Sequence, residues 1–105
     1  MNIVWDPVAE AALDRAVGLL QSENGKSFGA RLLCGVKQAT RLLSRFPNLG
    51  MVEPMLEHLP QTYRSLVVGH FHKMIYSIKD DTIHIVAFWD TRRDPILQAS
   101  MINKK

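Results

Sequence analysis

Residues 63–95 read YRSLVVGHFHKMIYSIKDDTIHIVAFWDTRRDP, and this stretch decides the fold. It contains three runs rich in β-branched and aromatic residues, which are Tyr63–Val68, Phe71–Ile78 and Thr82–Trp89. Gly69 and His70 separate the first two runs, and Asp80-Asp81 separates the last two. Links this short predict that the three strands form an antiparallel meander. A one-residue slip in the first loop would exchange the faces of the strands, so the sequence assigns no face to any side chain there.

A first strand and a first helix are predicted upstream of the meander. Ile3-Val4-Trp5 has the composition of a short strand. Asp6-Pro7 is typical of a helix start, because Asp accepts bonds from free N–H groups and Pro suits the first helical position. An apolar stripe that begins at Val8 predicts a helix through about Gln21, and Asn24-Gly25 ends it.

A second helix follows directly and ends at the link Pro47-Asn48-Leu49-Gly50. Ser27 is its predicted cap. The predicted inner face consists of Phe28, Leu32, Leu33, Val36, Ala39, Leu42, Leu43 and Phe46. The predicted outer face contains Arg31, Lys37, Gln38, Arg41 and Arg45. Because the link between the two helices is short, they should pair as a hairpin.

These elements predict an α+β fold in which a helical hairpin packs on an antiparallel sheet, with residues 1–105 forming one domain. The segment Met51–Thr62 contains two prolines and little periodicity, which favours an irregular connection. The tail Ile96–Lys105 either adds a short helix or frays. Lys104-Lys105 at its end is predicted to be disordered.

Composition limits the classes of function. The chain has 105 residues, of which 47% are hydrophobic, and this fraction argues against disorder. It lacks an apolar run long enough to span a membrane, and its first residues lack the features of a secretory signal. The single cysteine, Cys34, cannot form an internal disulfide, which favours a cytoplasmic protein. The net charge of +3 is compatible with nucleic acid or with an acidic protein as partner, and selects neither.

The pair Arg92-Arg93 directly follows the last predicted strand, between Asp90 and Asp94. Two guanidinium groups at a strand end could clamp phosphates or a protein carboxylate. In the alternative interpretation, the two aspartates pair with the arginines and only fix the exit of the chain from the sheet.

Three further polar residues lie on neighbouring predicted strands, namely Arg64, His72 and Lys73. Together with Arg92 they could form a basic patch on one face or edge of the sheet. Such a patch could hold an RNA backbone or stabilise charge during phosphodiester cleavage. Each residue taken alone is equally typical of a solvent-facing strand position.

Other candidate residues favour structural roles. The spacing of His70, His72 and His84 lacks the Cys or carboxylate partners of a zinc site, so we expect neither a metal nor a cofactor. Trp89 could anchor a partner or pack at the edge of the core. Glu53, Glu57 and His58 form an acid/base set on paper, but their irregular segment favours solvated side chains.

Matched in order along nearly the whole chain, several short motifs resemble the RelE/ParE superfamily of bacterial toxins, often labelled plasmid stabilisation proteins. The motifs are Phe46-Pro47-Asn48-Leu49-Gly50, Tyr63-Arg64, Leu66-Val67-Val68-Gly69, Lys73, Ile75-Tyr76, Ile83, Ile85-Val86 and Arg92-Arg93-Asp94-Pro95. The resemblance implies a toxin of a type II toxin–antitoxin module. Such a toxin arrests growth when free and is neutralised by a small cognate antitoxin.

The superfamily has two activities. ParE-like members poison DNA gyrase, and RelE-like members cleave ribosome-bound mRNA. The resemblance favours the ParE-like activity for this chain. Met51–Thr62 contains no Lys or Arg, and Asp90 stands where many RelE-like relatives have His. No Tyr follows Asp90, and His72-Lys73 stands where relatives often have Tyr-Arg. An inactive binding module descended from such a toxin is a third reading.

The resemblance also implies which residues act. The expected target-binding residues are Arg64, His72, Lys73, Trp89, Arg92 and Arg93. If the chain is an enzyme, it is an mRNA endoribonuclease whose catalytic candidates are Arg64, Lys73 and Arg92. The expected partners are a cognate antitoxin and either gyrase or the ribosome with its mRNA, with no membrane involved.

Overall fold

The computed structural model describes residues 1–103. Their elements are β1 (Asn2–Trp5), α1 (Pro7–Asn24), α2 (Lys26–Arg45), β2 (Met51–Val52), a 3-10 turn (Pro54–Leu56), β3 (Arg64–Val68), β4 (His72–Lys79), β5 (Thr82–Asp90) and α3 (Pro95–Asn103). The predicted α+β fold, the helical hairpin and the meander are confirmed. Lys104-Lys105, the predicted basic end, lies outside the described residues. Among residues 1–103, no helix has the length and apolar content needed to cross a membrane.

The five strands form one sheet in the order β1-β5-β4-β3-β2. The meander β3-β4-β5 is antiparallel, as predicted, and the two-residue strand β2 extends it within a segment predicted to be irregular. β1 pairs parallel with β5, so the sheet is mixed and the expected antiparallel pairing does not extend to the first strand. The helical hairpin carries the chain to the far edge of the sheet, and the meander brings it back beside β1 in the same direction.

The two helices meet at a single glycine. Gly25 has φ of +99°, a conformation that side chains disfavour, and this lets α2 begin directly after α1 ends. Its N–H group donates to the carbonyl oxygen of Gln21. The predicted cap Ser27 is wrong, because this residue lies inside α2 and no side chain caps that helix. The first helix runs three residues beyond the predicted Gln21, to Asn24.

The buried stripe of α2 is narrower than predicted. Leu32, Val36, Ala39 and Leu43 are buried against the sheet and α1. Four residues assigned to the inner face are exposed instead, namely Phe28, Leu33, Leu42 and Phe46. At about 100° per residue these four lie on the flanks of the stripe, beyond the reach of the sheet.

The sheet is covered on both faces. The helical hairpin packs on one face over a cluster that includes Met74, Tyr76 and Ile85. The 3-10 turn and α3 cover part of the other face, where Leu56, Ala99 and Ile102 pack on the sheet. The tail predicted either to form a helix or to fray therefore forms α3, because its apolar side chains bury against this second face.

A buried tyrosine fastens the link between the hairpin and the sheet. The Tyr76 hydroxyl donates to the carbonyl oxygen of Pro47 at 2.7 Å and accepts from the N–H group of Gly50 at 2.9 Å. Burial raises the pKa of Tyr76 above its ordinary value of 10.0, so the hydroxyl keeps its proton. A Cβ on Gly50 would lie 2.7 Å from the carbonyl oxygen of Ser65, so only glycine allows the link to pass this closely.

The substitution Tyr76→Phe tests this fastening. It leaves the Gly50 N–H group and the Pro47 carbonyl without their shared partner, so we expect the free energy of unfolding to fall by about 1–3 kcal/mol. Tyr63→Phe is the matched control, because the Tyr63 hydroxyl donates to the side chain of exposed Gln61. Urea titrations of the three proteins give the comparison, and equal losses in both variants would contradict the role of Tyr76.

Candidate functional site

A histidine and an aspartate face each other at one end of the meander. His72 at the start of β4 lies opposite Asp90 at the end of β5. The His72 side chain is 4% exposed, and its ring stacks on Phe88 with centroids 5.2 Å apart. Burial lowers the pKa of His72 below its ordinary value of 6.5, with Asp90 opposing this shift and Arg92 adding to it. His72 is therefore a neutral ring that forms the floor of this end of the sheet.

Asp90 holds Arg92 in a fixed position above that floor. The Arg92 side chain donates to both carboxylate oxygens of Asp90, at 3.1 and 2.9 Å, and its backbone N–H group donates to one of them at 2.9 Å. The guanidinium carbon lies 3.6 Å from the centre of the Phe71 ring. The side-chain hydrogen bond lowers the pKa of Asp90 below its ordinary value, so the carboxylate stays ionised. Arg92 is thus exposed yet oriented before any partner arrives.

The start of α3 is tied to the same strand end. The Gln98 side chain accepts from the N–H group of Asp90 and donates to its carbonyl oxygen, both at 3.1 Å. Asp94 caps the helix, since its carboxylate accepts from the N–H group of Ile96 at 2.9 Å. Of the two aspartates predicted to pair with arginines, Asp90 does so and Asp94 begins a helix instead.

A groove of about 450 Å³ opens between α1 and α3 beside this strand end. Its α1 wall includes Ala16 and Leu19, and its α3 wall includes Leu97 and Met101. Leu19, Leu97 and Met101 are 51–65% exposed, which is a feature of surfaces that bind a partner. Three basic residues, Arg15, Arg92 and Arg93, also line the groove, together with three acidic ones, Glu23, Asp90 and Asp94.

The floor of the groove includes an open strand edge. β1 pairs with β5 only as far as Ile85, where the N–H group of Asp6 donates to the Ile85 carbonyl oxygen. Beyond that point, no described strand lies beside the outer edge of residues 86–89 of β5. This edge presents backbone polar groups to the groove, where an added strand could pair with them.

A second polar cluster lies on the opposite face of the sheet. The Lys73 ammonium donates to both carboxylate oxygens of Glu53, at 2.6 and 2.8 Å, and lies 5.2 Å from the centre of the Trp89 ring. Glu53 is 1% exposed and the Lys73 side chain 21%. Trp89 is itself buried in the cluster beneath α3. The charge of Lys73 is therefore matched by a buried carboxylate.

The predicted site residues do not form one patch. His72, Arg92 and Arg93 lie together at the strand end, whereas Lys73 lies on the other sheet face over Trp89, whose ring is on that face although the residue also lines the groove. Arg64 lies at the far end of β3, where its guanidinium donates to the carbonyl oxygen of Gly50 at 2.8 Å. Within residues 1–103, no three His, Cys, Asp or Glu side chains cluster in a way that could hold a metal ion.

Two residues with important contacts were not anticipated. Glu53 was assigned to solvent and is buried on Lys73, and the sequence contains no signal for this pairing across 20 residues. Gln98 fastens α3 to the strand end. A signal for α3 did exist, because Asp94-Pro95 repeats the Asp6-Pro7 start that identified α1.

Comparison with known proteins gives a consistent result. The family model of the ParE toxin of type II toxin-antitoxin system, parDE, matches residues 3–95. The chromosomal ParDE TA system from P. aeruginosa has a similar structure, with a TM-score of 0.70 and 19% identity over 86% of this chain and 95% of that one. The YoeB dimer from Staphylococcus aureus is also similar, with a TM-score of 0.56 and 20% identity over 83% of this chain and 92% of that one. For the YoeB-YefM complex from the same organism the TM-score is 0.53, with 20% identity over 84% of this chain and 93% of that one. No curated protein matches significantly.

The pH dependence of stability tests the burial of His72. Since its folded pKa lies below 6.5, the unfolded chain binds a proton in acid that the folded chain resists. We expect the free energy of unfolding to be at its full value near pH 7 and to fall by pH 5, above the range where Asp90 titrates. His72→Phe keeps a ring on Phe88 and should remove this fall. Urea titrations at the two pH values measure it, and an undiminished fall in the variant would refute the assignment.

Proposed function

The chain belongs to the ParE toxin family of type II toxin–antitoxin systems, and from this premise we propose that it poisons DNA gyrase. We propose also that a cognate antitoxin neutralises it by occupying the groove between α1 and α3. The observation that carries both proposals is the exposed arginine pair Arg92-Arg93 beside that apolar groove.

The strand end has the composition of a surface that binds protein. Arginine and aromatic residues are enriched at protein interfaces, and here Arg92 is held on Asp90 and stacked on Phe71. A guanidinium that is already oriented loses little rotamer freedom when it binds a carboxylate. Arg93 is exposed and forms no ion pair among residues 1–103, so its charge is available to a target.

The same contacts weigh against cleavage of ribosome-bound mRNA. Stabilising a phosphodiester transition state requires donors that converge on one point. The three catalytic candidates diverge, because Lys73 is matched by Glu53, Arg64 is bonded to Gly50, and Arg92 lies on the opposite sheet face from Lys73. We therefore confine the proposed target-binding surface to Arg92 and Arg93, with His72 beneath them, and leave out Arg64, Lys73 and Trp89.

The groove suits a segment of an antitoxin that combines apolar side chains with carboxylates. Apolar residues of that segment would pack between Leu19 and Leu97, and its carboxylates would meet the arginines. An extended segment could also pair with the open edge of residues 86–89. Because Arg92 and Arg93 line the groove as well, an antitoxin bound there would cover the residues proposed to engage gyrase.

Removing the arginine pair tests the gyrase proposal. We expect Arg92→Ala combined with Arg93→Ala to raise the toxin concentration needed to inhibit supercoiling by about tenfold or more, since interface arginines often contribute over 1.4 kcal/mol. Lys79→Ala, which removes an exposed charge at the distant β4–β5 turn, should leave inhibition unchanged.

The supercoiling assay with purified gyrase and folded protein separates the alternatives. Unchanged inhibition by the double variant would remove the loop from the mechanism. Lack of inhibition by the unmodified folded chain, with new mRNA 5′ ends in cells that express it, would favour the nuclease. Lack of both would favour an inactive binding module.

A neighbouring pair of residues on α3 tests the antitoxin site. Leu97 lines the groove and Ile96 does not, although the two side chains are 65% and 71% exposed. Leu97→Glu places a charge against the apolar wall, so we expect it to weaken antitoxin affinity by about tenfold or more. Ile96→Glu should bind normally. Titration calorimetry with the antitoxin encoded beside the toxin measures both, and equal affinities would place the antitoxin elsewhere.

A further inference from the structure

The positive charge of this protein is concentrated on one helix. The whole chain has 13 basic and ten acidic residues. α2 contains five basic residues and no acidic one, which are Lys26, Arg31, Lys37, Arg41 and Arg45. The other 85 residues therefore hold eight basic and ten acidic residues and are net negative. The net charge of +3 thus conceals a strongly basic helix on a weakly acidic body.

The geometry of α2 turns these charges into a row. Lys37, Arg41 and Arg45 are spaced four residues apart, so they lie about 6 Å from each other along the helix. Arg31 lies about 9 Å further along the helix and is rotated by about 120° from Lys37, so it flanks the row. All four side chains are exposed, on the side of the helix opposite the buried Leu32, Val36, Ala39 and Leu43.

Arg45 in the last turn suits the helix dipole, but the spacing of the row costs the helix stability. Like charges four residues apart repel, at a cost of about 0.2–0.5 kcal/mol for each pair. In the described part of the chain, neither Lys37 nor Arg41 forms an ion pair, and the first turn of α2 contains no acidic residue to offset the helix dipole. An ordinary solvated helix face mixes both signs of charge, so this row requires another explanation.

We propose that the outer face of α2 binds the phosphate backbone of duplex DNA, independently of base sequence. A straight convex helix fits the major groove of B-form DNA, which is about 12 Å wide. The major groove of duplex RNA is too narrow to admit side chains. Single-stranded nucleic acids bind by stacking their bases on open aromatic rings. The aromatic residues of α2 and its cap are Phe28 and Phe46, and an arginine lies over each ring, at 5.4 and 5.8 Å. This arrangement favours duplex DNA over a single strand as the partner.

Fluorescence anisotropy with a labelled duplex of about 20 base pairs tests the proposal on the purified chain without gyrase. If four phosphates are contacted, affinity should fall by roughly 100-fold between 50 and 200 mM salt. Arg41→Gln should weaken binding and reduce the steepness of log affinity against log salt by about 1. The double variant Lys37→Gln with Arg41→Gln should reduce that steepness by about 2. Lys79→Gln removes the same charge from an exposed site on β4 and should change neither.

Three results would overturn the proposal. One is absence of binding at 50 mM salt by a chain whose circular dichroism shows it folded. Another is an unchanged salt slope in the folded double variant. The third is stronger binding to single-stranded RNA or to polyglutamate than to the duplex, since polyglutamate would identify α2 as a surface for an acidic protein. A double variant that loses DNA affinity but still inhibits gyrase would support this DNA-binding surface as separate from the proposed gyrase site.

Discussion

One extra residue in β5 determines where the polar residues of this protein lie. Tyr76 of β4 pairs with Ile85, and its neighbour Ile75 pairs with Ala87, so Val86 is a bulge. Before the bulge, Ile85 faces the helical hairpin. After it, strict alternation is broken, and Phe88 faces the hairpin while Ala87 and Trp89 face α3. If Val86 instead paired with Ile75 as an ordinary strand residue, every side chain from Ala87 onward would point to the opposite face.

The two chemical clusters follow from this bulge. Asp90 emerges on the hairpin face opposite His72, where it can hold Arg92 over Phe71. Trp89 emerges on the other face beneath the ammonium of Lys73. A buried pair such as Glu53 and Lys73 gives little net stability, but breaking it is costly. That pair fastens the segment before β3 to the sheet, whereas the Asp90 pair only orients an exposed cation.

The groove exists because the sheet is covered unequally. The hairpin spans one face, whereas α3 contains nine residues and is tethered to Asp90 through Gln98. β1 ends at Trp5, since the Asp6-Pro7 helix start turns the chain away from the sheet. The outer edge of β5 beyond Ile85 therefore remains open between α1 and α3. A short first strand and a short last helix together leave room for a partner.

The sequence by itself determined β1, the two long helices and the meander, because their signals are local, whereas it left β2 in an irregular segment and α3 undecided. Asp6-Pro7 specifies a helix start and Asp80-Asp81 specifies a turn, while the periodicity of α2 specifies the centre of its buried face but not the width of that face. The aspartates at the hairpin turn have φ of +52° and +59°, as a two-residue turn requires. The family resemblance, carried by short motifs in order, was equally readable.

Only the tertiary structure decided which of the polar residues meet. The sequence allowed Arg64 and Lys73 to share a patch with Arg92 and favoured a solvated Glu53, whereas Arg64 is bonded to Gly50 and Glu53 is buried on Lys73. The physical reason is that side chains alternate across a strand, so a single unpaired residue reverses their direction. Pairing between strands distant in sequence sets that register, and no local pattern near Val86 encodes it.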